Sequence, residues 1–425
     1  NWSSPQKCEP IFSTAIRTPA CLGMLYRLDR QKTPSAHPSL MNECFSCCLP
    51  CRKDTLSLNA MRYLSADIIY PLHRAPIKEG VLVLDDGVVV DLLDSREGIE
   101  NLEVFEGFLC PGFVNTHCHL ELSHMLGKLP EQTGLPAFIA QIPKQREASV
   151  ASIQESIAAA DKQMQDNGIV AVGDISNTAD TFALKSESPI HYHTFIELFA
   201  IDAQKAEAVF QQGLELKQQC QTPSSIVPHA TYSVSKSLFK KIKQYNSGEI
   251  ICLHNQETST EDALFEEGIG TLYEQLKAFG VLNISGRSAL QTALPQMPQS
   301  PTLLVHNTYT SQSDVQWAEA QHENLFWCTC PKANLYIEGQ LPNYENFKGV
   351  KMTIGTDSLT SNHTLSIWEE VQIIREYTDL DLNTLLTWAC KNGAEFLQLK
   401  DLGVLERGKR PGVNLVHNNK VQRLD

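Results

Sequence analysis

The chain has 425 residues, of which 42% are hydrophobic and 20% are charged, as in ordinary globular proteins. This composition excludes a collagen-like or wholly disordered chain, and the length suffices for one large catalytic domain and a smaller one. The formal net charge of −14 argues against general nucleic-acid binding, which needs a basic surface. No apolar run approaches the ~20 residues of a membrane span. We therefore expect neither nucleic acid nor a membrane as a partner.

Residues 1–60 differ in composition from the remainder of the chain. Six of the 13 cysteines lie there, four of them in the run Cys44-x-x-Cys47-Cys48-x-x-Cys51. Thiolates at this spacing can hold zinc, but no second cysteine or histidine pair follows at finger spacing. We therefore expect residues 1–60 to be a disordered or non-native N-terminal extension, with a metal or redox role of the cysteine run as the alternative. The other cysteines are scattered, mostly in apolar runs, which is typical of reduced thiols and predicts a cytoplasmic protein.

From residue 61 onward the hydrophobic pattern predicts a regular series of elements. Short β-like runs fill 61–108, with a turn at Asp86–Gly87. Apolar strands then alternate with amphipathic helical stretches such as 151–166 and 261–279. The eight predicted strands are 109–117, 169–175, 191–199, 225–230, 249–256, 302–307, 325–330 and 351–357. This alternation predicts an α/β fold of the (β/α)8 TIM barrel class over 109–402, and β-like runs return at 403–425.

Polar side chains stand at the ends of four predicted strands, where (β/α)8 barrels carry their chemistry. His117 and His119 are two residues apart and so project to the same side of an extended strand. His254, His306 and Asp357 end three other strands, which only barrel closure brings together. The imidazoles of His117, His119 and His254 with the Asp357 carboxylate suit a divalent first-row metal that keeps one position open for water.

These motifs resemble those of the amidohydrolase superfamily. The stretch 111–120, with its His-x-His, is similar to the first-strand motif of that superfamily. Further motifs resemble its branch of cytosine/guanine deaminases, S-adenosylhomocysteine deaminases and chlorohydrolases, and in places the aminofutalosine-type deaminases. They are His254-x-x-Glu257, the strand-6 His306, Gly355-Thr356-Asp357-Ser358, Pro228-His229-Ala230 and Cys330-Pro331-x-x-Asn334.

The resemblance covers roughly 61–425 and implies how this part of the chain is divided. The flanks, 61–108 and 403–425, are expected to form one composite β-sandwich beside the barrel. One divalent metal ion is expected, zinc or alternatively iron. No lysine ends the fourth strand, where a site with two ions would carry one; Pro228-His229 stands there instead.

The expected activity is hydrolytic deamination of a nitrogen heterocycle, a purine or adenosine derivative, by attack of a metal-bound hydroxide. Glu257 would carry a proton from water to the ring nitrogen, and Asp357 would take the remaining hydroxyl proton. By resemblance, His306 contacts the attacking water. The alternatives are a chlorohydrolase-like or cyclic-amide hydrolase of the same superfamily and, more remotely, a non-catalytic binding barrel. A homodimer is left open.

Five further residues are candidates for binding the small heterocyclic substrate. His229 resembles a substrate-contacting histidine of the branch, although a structural histidine is nearly as good an interpretation. Arg287 and Arg146 could pair with a carboxylate or phosphate, or be ordinary surface arginines. Glu121 could bind substrate or orient a metal ligand. Asn334 could contact substrate or hold its own loop in place.

Overall fold

The computed structural model describes residues 61–280 and 284–425. The predictions for residues 1–60, including the Cys44–Cys51 run, lie outside these residues. Within the described part of the chain, no helix is both long enough and apolar enough to cross a membrane.

Between residue 61, where the described part of the chain begins, and Gly112 there are seven short strands. They are β1 (Arg62–Ser65), β2 (Ile68–Ile69), β3 (Ile77–Lys78), β4 (Val81–Asp85), β5 (Val88–Leu93), β6 (Leu102–Val104) and β7 (Phe108–Pro111). Four of them form a sheet in the order β5-β4-β1-β6. The predicted turn at Asp86–Gly87 joins β4 to β5, and both residues have positive φ, 47° and 74°, as a two-residue hairpin of this twist requires.

The eight strands predicted for the catalytic region are all present. They are β8 (Phe113–Cys118), β9 (Ile169–Ser176), β10 (His191–Leu198), β11 (Ser224–Pro228), β12 (Ile251–Asn255), β13 (Thr302–His306), β14 (Leu325–Thr329) and β15 (Met352–Ile354). They form two four-stranded parallel sheets, β11-β10-β9-β8 and β12-β13-β14-β15. Single bridges, Cys118 to Asp357 and Ala230 to His254, join the edges of the two sheets.

The stretch 109–117, predicted as one strand, is two strands in different sheets. β7 pairs antiparallel with β16 (Val413–His417), which also pairs with β17 (Lys420–Arg423), in the order β17-β16-β7-β2-β3. The chain changes sheet at Gly112. A Cβ there would lie 2.3 Å from Val170 Cγ1, so the crossing is too close for any side chain. Both flanks therefore contribute strands to one sheet.

Helices connect the parallel strands and cover them. They are α1 (Leu135–Ile139), α2 (Ile142–Gln145), α3 (Val150–Asp166), α4 (Phe182–Glu187), α5 (Ala206–Gln219), α6 (Lys236–Tyr245), α7 (Ser259–Glu267), α8 (Thr271–Leu276), α9 (Ala289–Ala293), α10 (Gln312–Gln321), α11 (Pro331–Glu338), α12 (Ile367–Tyr377), α13 (Leu382–Leu386) and α14 (Gly393–Phe396). The stretch 261–279, predicted as one helix, is α7 and α8. Gly268 and Gly270 separate them with φ of 71° and 96°, outside the helical range.

The main core lies between the parallel strands and the helices. Every residue of β9 is buried, which is typical of parallel strands covered on both faces. On α3 the buried positions are 157, 160, 161 and 164, the spacing of one helical face. This packing fixes the carboxyl ends of the strands and hence the side chains that follow them.

Candidate active site

Four side chains from distant parts of the sequence converge at the strand ends. His119 Nε2 lies 3.1 Å from His117 Nε2 and 3.3 Å from His254 Nε2. Asp357 Oδ1 lies 3.4 Å from His117 Nε2 and 3.3 Å from His119 Nε2. Ligands about 2.0–2.2 Å from one tetrahedrally coordinated zinc ion are about 3.3–3.6 Å apart. The four separations given lie in or near that range, and the donor types suit a divalent metal ion.

Burial keeps the three imidazoles in the form that binds metals. Burial lowers the pKa of each ring. The pKa of His117 falls below its usual value, that of His119 falls to about 3, and that of His254 falls well below its usual value. Burial opposes ionisation of Asp357, but the hydrogen bond from His117 and the nearby imidazoles outweigh it and lower the pKa of that carboxyl. Neutral imidazoles and an ionised carboxylate are the states that a divalent cation requires.

The backbone holds Asp357 against β8, the strand that carries His117. Its amide N–H donates to the His117 carbonyl at 3.1 Å, and a bridge joins it to Cys118. Asp357 has φ of 56°, an uncommon conformation for a non-glycine residue that is concentrated at functional sites. Ser361 Oγ–H donates to Oδ2 of Asp357, so Oδ1 is the oxygen that faces His119.

Groups around Nδ1 orient the ring of His254. Its Nδ1–H donates to the carbonyl of His229 at 2.9 Å, so that the lone pair of Nε2 faces His119. Glu197 Oε1 lies 3.5 Å from the same Nδ1. Asn177 Nδ2 donates to Glu197 Oε2 at 3.1 Å, and burial raises the pKa of Glu197 to about 8. Sequence reasoning missed Glu197, although it stands near the end of a predicted strand like the other site residues.

Glu257 and His306 face each other beside the metal-binding cluster. Glu257 Oε1 lies 3.7 Å from His306 Nε2, and both side chains are buried. Burial raises the pKa of Glu257 well above its usual value, and the charge of Asp357 adds to the effect. His306 Nδ1–H donates to Asn334 Oδ1 at 3.0 Å. Asn334, predicted to contact substrate or hold its loop, instead holds the ring of His306 and does not line the cavity.

These groups line a cavity of about 60 Å³ with polar side chains on one side and apolar side chains on the other. The polar side comprises His119, His229, His254, Glu257, His306, Asp357 and Ser358, with Tyr232 beside them. The apolar side, here called the apolar roof, comprises Leu122, Leu135, Phe138, Ile139, Ile142 and Ile337. Small-molecule sites usually enclose ~300–1,000 Å³. The cavity as it stands in this structure is smaller than that range.

The structure brings only one of the other predicted substrate-binding residues to this cavity. His229 lines it, its Nδ1 bonded to Ser233 Oγ at 2.7 Å. Glu121 is buried outside it and forms an ion pair with Arg146. The second carboxylate oxygen of Glu121 accepts the amide N–H groups of residues 177 and 178, each at 3.0 Å. Arg287 is exposed in the loop before α9 and does not line the cavity.

Two other features were not found from the sequence. Asp174, on β9, accepts the amide N–H of Leu120 at 2.7 Å and forms a fully buried ion pair with Lys185. Asp174 could have been nominated from its position in a predicted strand whose end lies near the site. The apolar roof gave no such signal, because its side chains come from separate segments and have the composition of an ordinary core.

Comparison with known proteins places the chain in a family. The profile of the amidohydrolase family matches residues 108–423. An adenosine deaminase of Helicobacter pylori is 26% identical over 328 residues, 73% of this chain and 79% of that protein. A 5-methylthioadenosine/S-adenosylhomocysteine deaminase of Halalkalibacterium halodurans is 24% identical over 375 residues, 81% and 82% of the two chains.

A solved structure has a similar fold. The crystal structure of Helicobacter pylori aminofutalosine deaminase in complex with methylthio-coformycin aligns with a TM-score of 0.71 at 23% identity. The alignment covers 83% of this chain and 91% of that one. This likeness, with the family match, shows a TIM-barrel-type fold. The resemblance expected from the strand-end motifs is confirmed, and the chain belongs to the amidohydrolase family.

Proposed function

We propose that the protein is a metal-dependent aminohydrolase that removes the amino group from a purine-type ring of an adenosine derivative. One observation carries this proposal: three of the proposed metal ligands, His119, His254 and Asp357, line the same cavity as Glu257, a buried carboxyl group that favours its protonated form. Deamination of an aminopurine needs such a proton donor at the ring nitrogen, whereas hydrolysis of a cyclic amide does not. The deaminases among the relatives support the same activity.

The proposed metal ligands are His117, His119, His254 and Asp357, and a divalent ion bound there would supply a water of lowered pKa. We propose one ion, zinc or alternatively iron. Its support is the short separation of 3.1–3.4 Å between neighbouring donor atoms of these side chains.

Each neighbouring side chain then has a distinct part in proton transfer. Glu257 would take one proton from the attacking water and deliver it to the ring nitrogen, which makes the carbon that bears the amino group more electrophilic. His306 presents Nε2 toward Glu257, because Asn334 occupies its Nδ1–H, and would orient the attacking water. Asp357 would accept the second proton and pass it to the departing ammonia. His229 would contact the substrate from the wall beside His254.

The proposed division of the chain follows strand pairing. We propose that the eight strands β8–β15 form one closed barrel within 109–402, because single bridges link both pairs of sheet edges. We propose further that 61–108 and 403–425 form a composite β-sandwich. Its support is the pairing of β16 with β7 and one hydrophobic cluster that includes side chains from both flanking sheets, such as Leu82 and Leu415.

The test is ammonia release from aminopurines, adenosine derivatives and aminopyrimidines by zinc- and iron-loaded protein. Glu257→Gln should lower kcat by about 10²–10⁴-fold, because it removes the proton donor, and should leave the metal content unchanged. His254→Gln is the matched control, since loss of a ligand should release the metal. Activity on chlorotriazines or cyclic amides without any ammonia release would contradict the proposal, and so would loss of metal in Glu257→Gln.

A further inference from the structure

Glu257, the proposed proton donor, has no hydrogen bond that holds its carboxyl group in place. Among the residues that the structure describes, no group donates a hydrogen bond to this carboxyl, and His306 Nε2 lies 3.7 Å away. A proton donor must nevertheless stand within hydrogen-bond reach of the atom that it protonates. The direction of the Glu257 side chain is therefore set by its backbone.

Two hydrogen bonds from different segments hold the peptide group that joins Gln256 to Glu257. Its carbonyl accepts the amide N–H of Tyr309, three residues after His306, at 3.0 Å. Its N–H donates to Glu261 Oε1 on α7 at 2.8 Å. Gln256 has φ of 44°, which is uncommon for a non-glycine residue, so the chain turns sharply here. The two bonds fix the rotation of this peptide plane and hence the direction in which Cβ of Glu257 leaves the backbone.

Glu261 occupies the position of the acidic residue in a capping box, but its shorter contact is to a different residue. In a capping box, a glutamate at the third helical position accepts the amide N–H of the N-cap residue. Thr258 is the N-cap of α7, and its amide nitrogen lies 3.5 Å from Glu261 Oε1. The amide nitrogen of Glu257, one residue earlier, lies 2.8 Å from the same oxygen. The shorter contact is therefore made to the residue that carries the proposed proton donor.

The cost of burying Glu261 also exceeds what a helix cap requires. Its side chain is fully buried, and within the described part of the chain its second oxygen, Oε2, has no hydrogen-bond partner. A buried polar atom without a partner is costly, whereas a helix can be capped at the surface without that cost.

We infer that Glu261 is a positioning residue for Glu257: its buried side chain fixes the peptide group before Glu257 and thereby points the Glu257 carboxyl into the cavity beside the metal-binding cluster. This inference rests on the proposed deaminase function. It adds a residue that does not line the cavity and on which proton transfer to the ring nevertheless depends.

Two substitutions at position 261 separate the accepted hydrogen bond from the charge. Burial raises the pKa of Glu261 well above its usual value, so its neutral form resembles glutamine. In Glu261→Gln, kcat should stay within about fivefold of the natural value, because glutamine can accept the same N–H. Glu261→Ala removes the acceptor and should lower kcat about 100-fold at unchanged KM and metal content, since a small displacement of a catalytic group has such an effect.

Glu266→Ala, at an exposed position of the same helix, is the control and should leave kcat unchanged. An equal loss of kcat in Glu261→Gln and Glu261→Ala would overturn the inference, because the accepted hydrogen bond would then not be what matters. A Glu261→Ala protein that keeps its kcat, or that loses metal in proportion to its activity, would overturn it as well.

A double-mutant cycle tests whether Glu261 acts through Glu257. The Glu257→Gln variant already lacks the proton donor, so adding Glu261→Ala to it should lower kcat less than about threefold, against about 100-fold in the natural protein. Losses that multiply in the double variant would show that Glu261 supports the site in another way, and would contradict the inference.

Hydrogen exchange of the metal-loaded protein, followed by mass spectrometry, measures the contact without turnover. The Glu257 amide should exchange at least about tenfold faster in Glu261→Ala than in the natural protein or in Glu261→Gln, because exchange requires opening of its hydrogen bond. Unchanged exchange in Glu261→Ala would overturn the inference even if ammonia is released. The expected exchange pattern without ammonia release from any substrate would overturn the deaminase function but support the positioning of Glu257.

Discussion

Glu370 is a fully buried carboxyl group that connects three segments near the site. From α12 it accepts Nδ2–H of Asn362 at 2.7 Å and the amide N–H of Lys332 at 2.8 Å. Burial raises the pKa of Glu370 to about 8, against the opposing hydrogen bond from Lys332. The Glu370 carboxyl group therefore fixes the loop that follows Asp357 and the first turn of α11. Its ionisation lowers the stability of the folded chain, because the charge is buried.

This shift predicts a pH dependence of stability. The pKa of Glu370 is higher in the folded chain than its unfolded value near 4.5, so between about pH 4.5 and 8 the folded state binds more protons. Its contribution is most favourable below pH 4.5, declines as the pH rises and is level above about 8. Relative to Glu370→Gln, the natural protein should lose on the order of a few kcal/mol of unfolding free energy from pH 5 to pH 8.

Urea denaturation at the two pH values measures this difference. Glu369→Gln, an exposed neighbour on the same helix, is the control and should show almost no pH-dependent difference from the natural protein. A Glu370→Gln difference that is the same at both pH values would show that Glu370 does not titrate in this way.

At the scale of elements, a buried ion pair connects β9 and α4 to the segment that follows the first metal-binding strand. Asp174 accepts the amide N–H of Leu120, directly after His119, and pairs with Lys185. Lys185 Nζ also donates to Ser176 Oγ at 3.0 Å and to Thr194 Oγ1 at 3.3 Å. Both charges are fully buried, so each depends on the other for its solvation.

Removal of one charge should be costly. Lys185→Met leaves Asp174 buried without its cation and should lower the unfolding free energy by about 3–5 kcal/mol, as measured by urea denaturation. The same substitution in an exposed pair, Lys162→Met opposite Asp166 on α3, should change it little. Comparable losses in the two variants would contradict a special role for burial.

At the scale of the whole molecule, the C-terminal strands complete a sheet that the N-terminal flank begins. Leu415 on β16 stands opposite Leu109 of β7 and belongs to the hydrophobic cluster of the flanks. β7 continues through Gly112 into β8, which carries His117. The flanks are therefore joined to the catalytic strands by the backbone at Gly112, and the C-terminal flank pairs with β7 directly before that residue.

We expect the flanks and the catalytic region to unfold together. Leu415→Ala should lower the unfolding free energy by about 2–5 kcal/mol because it leaves a cavity in the flanking cluster. In this variant, circular dichroism and metal release should follow the same single urea transition, and that transition should lie at a lower urea concentration than in the natural protein. Gln422→Ala, on the exposed residue opposite Leu415, is the control and should shift it little. Two separate transitions would show that the flanks fold independently.

The sequence by itself determined which residues end the strands and therefore which family the chain belongs to. The period-two spacing of His117 and His119 specifies their common direction, and strand-to-helix alternation specifies that strand ends collect at one face. These are local properties of the chain. They sufficed to nominate the candidate metal ligands and, in addition, Glu257 and His306.

Only the tertiary structure decided what each candidate touches. It turned Asn334 toward His306, paired Arg146 with Glu121 and left Arg287 exposed. It also assembled the apolar roof from separate segments. The physical reason is that contacts across the fold depend on how helices pack and loops close, and residue spacing along the chain carries no measure of those distances.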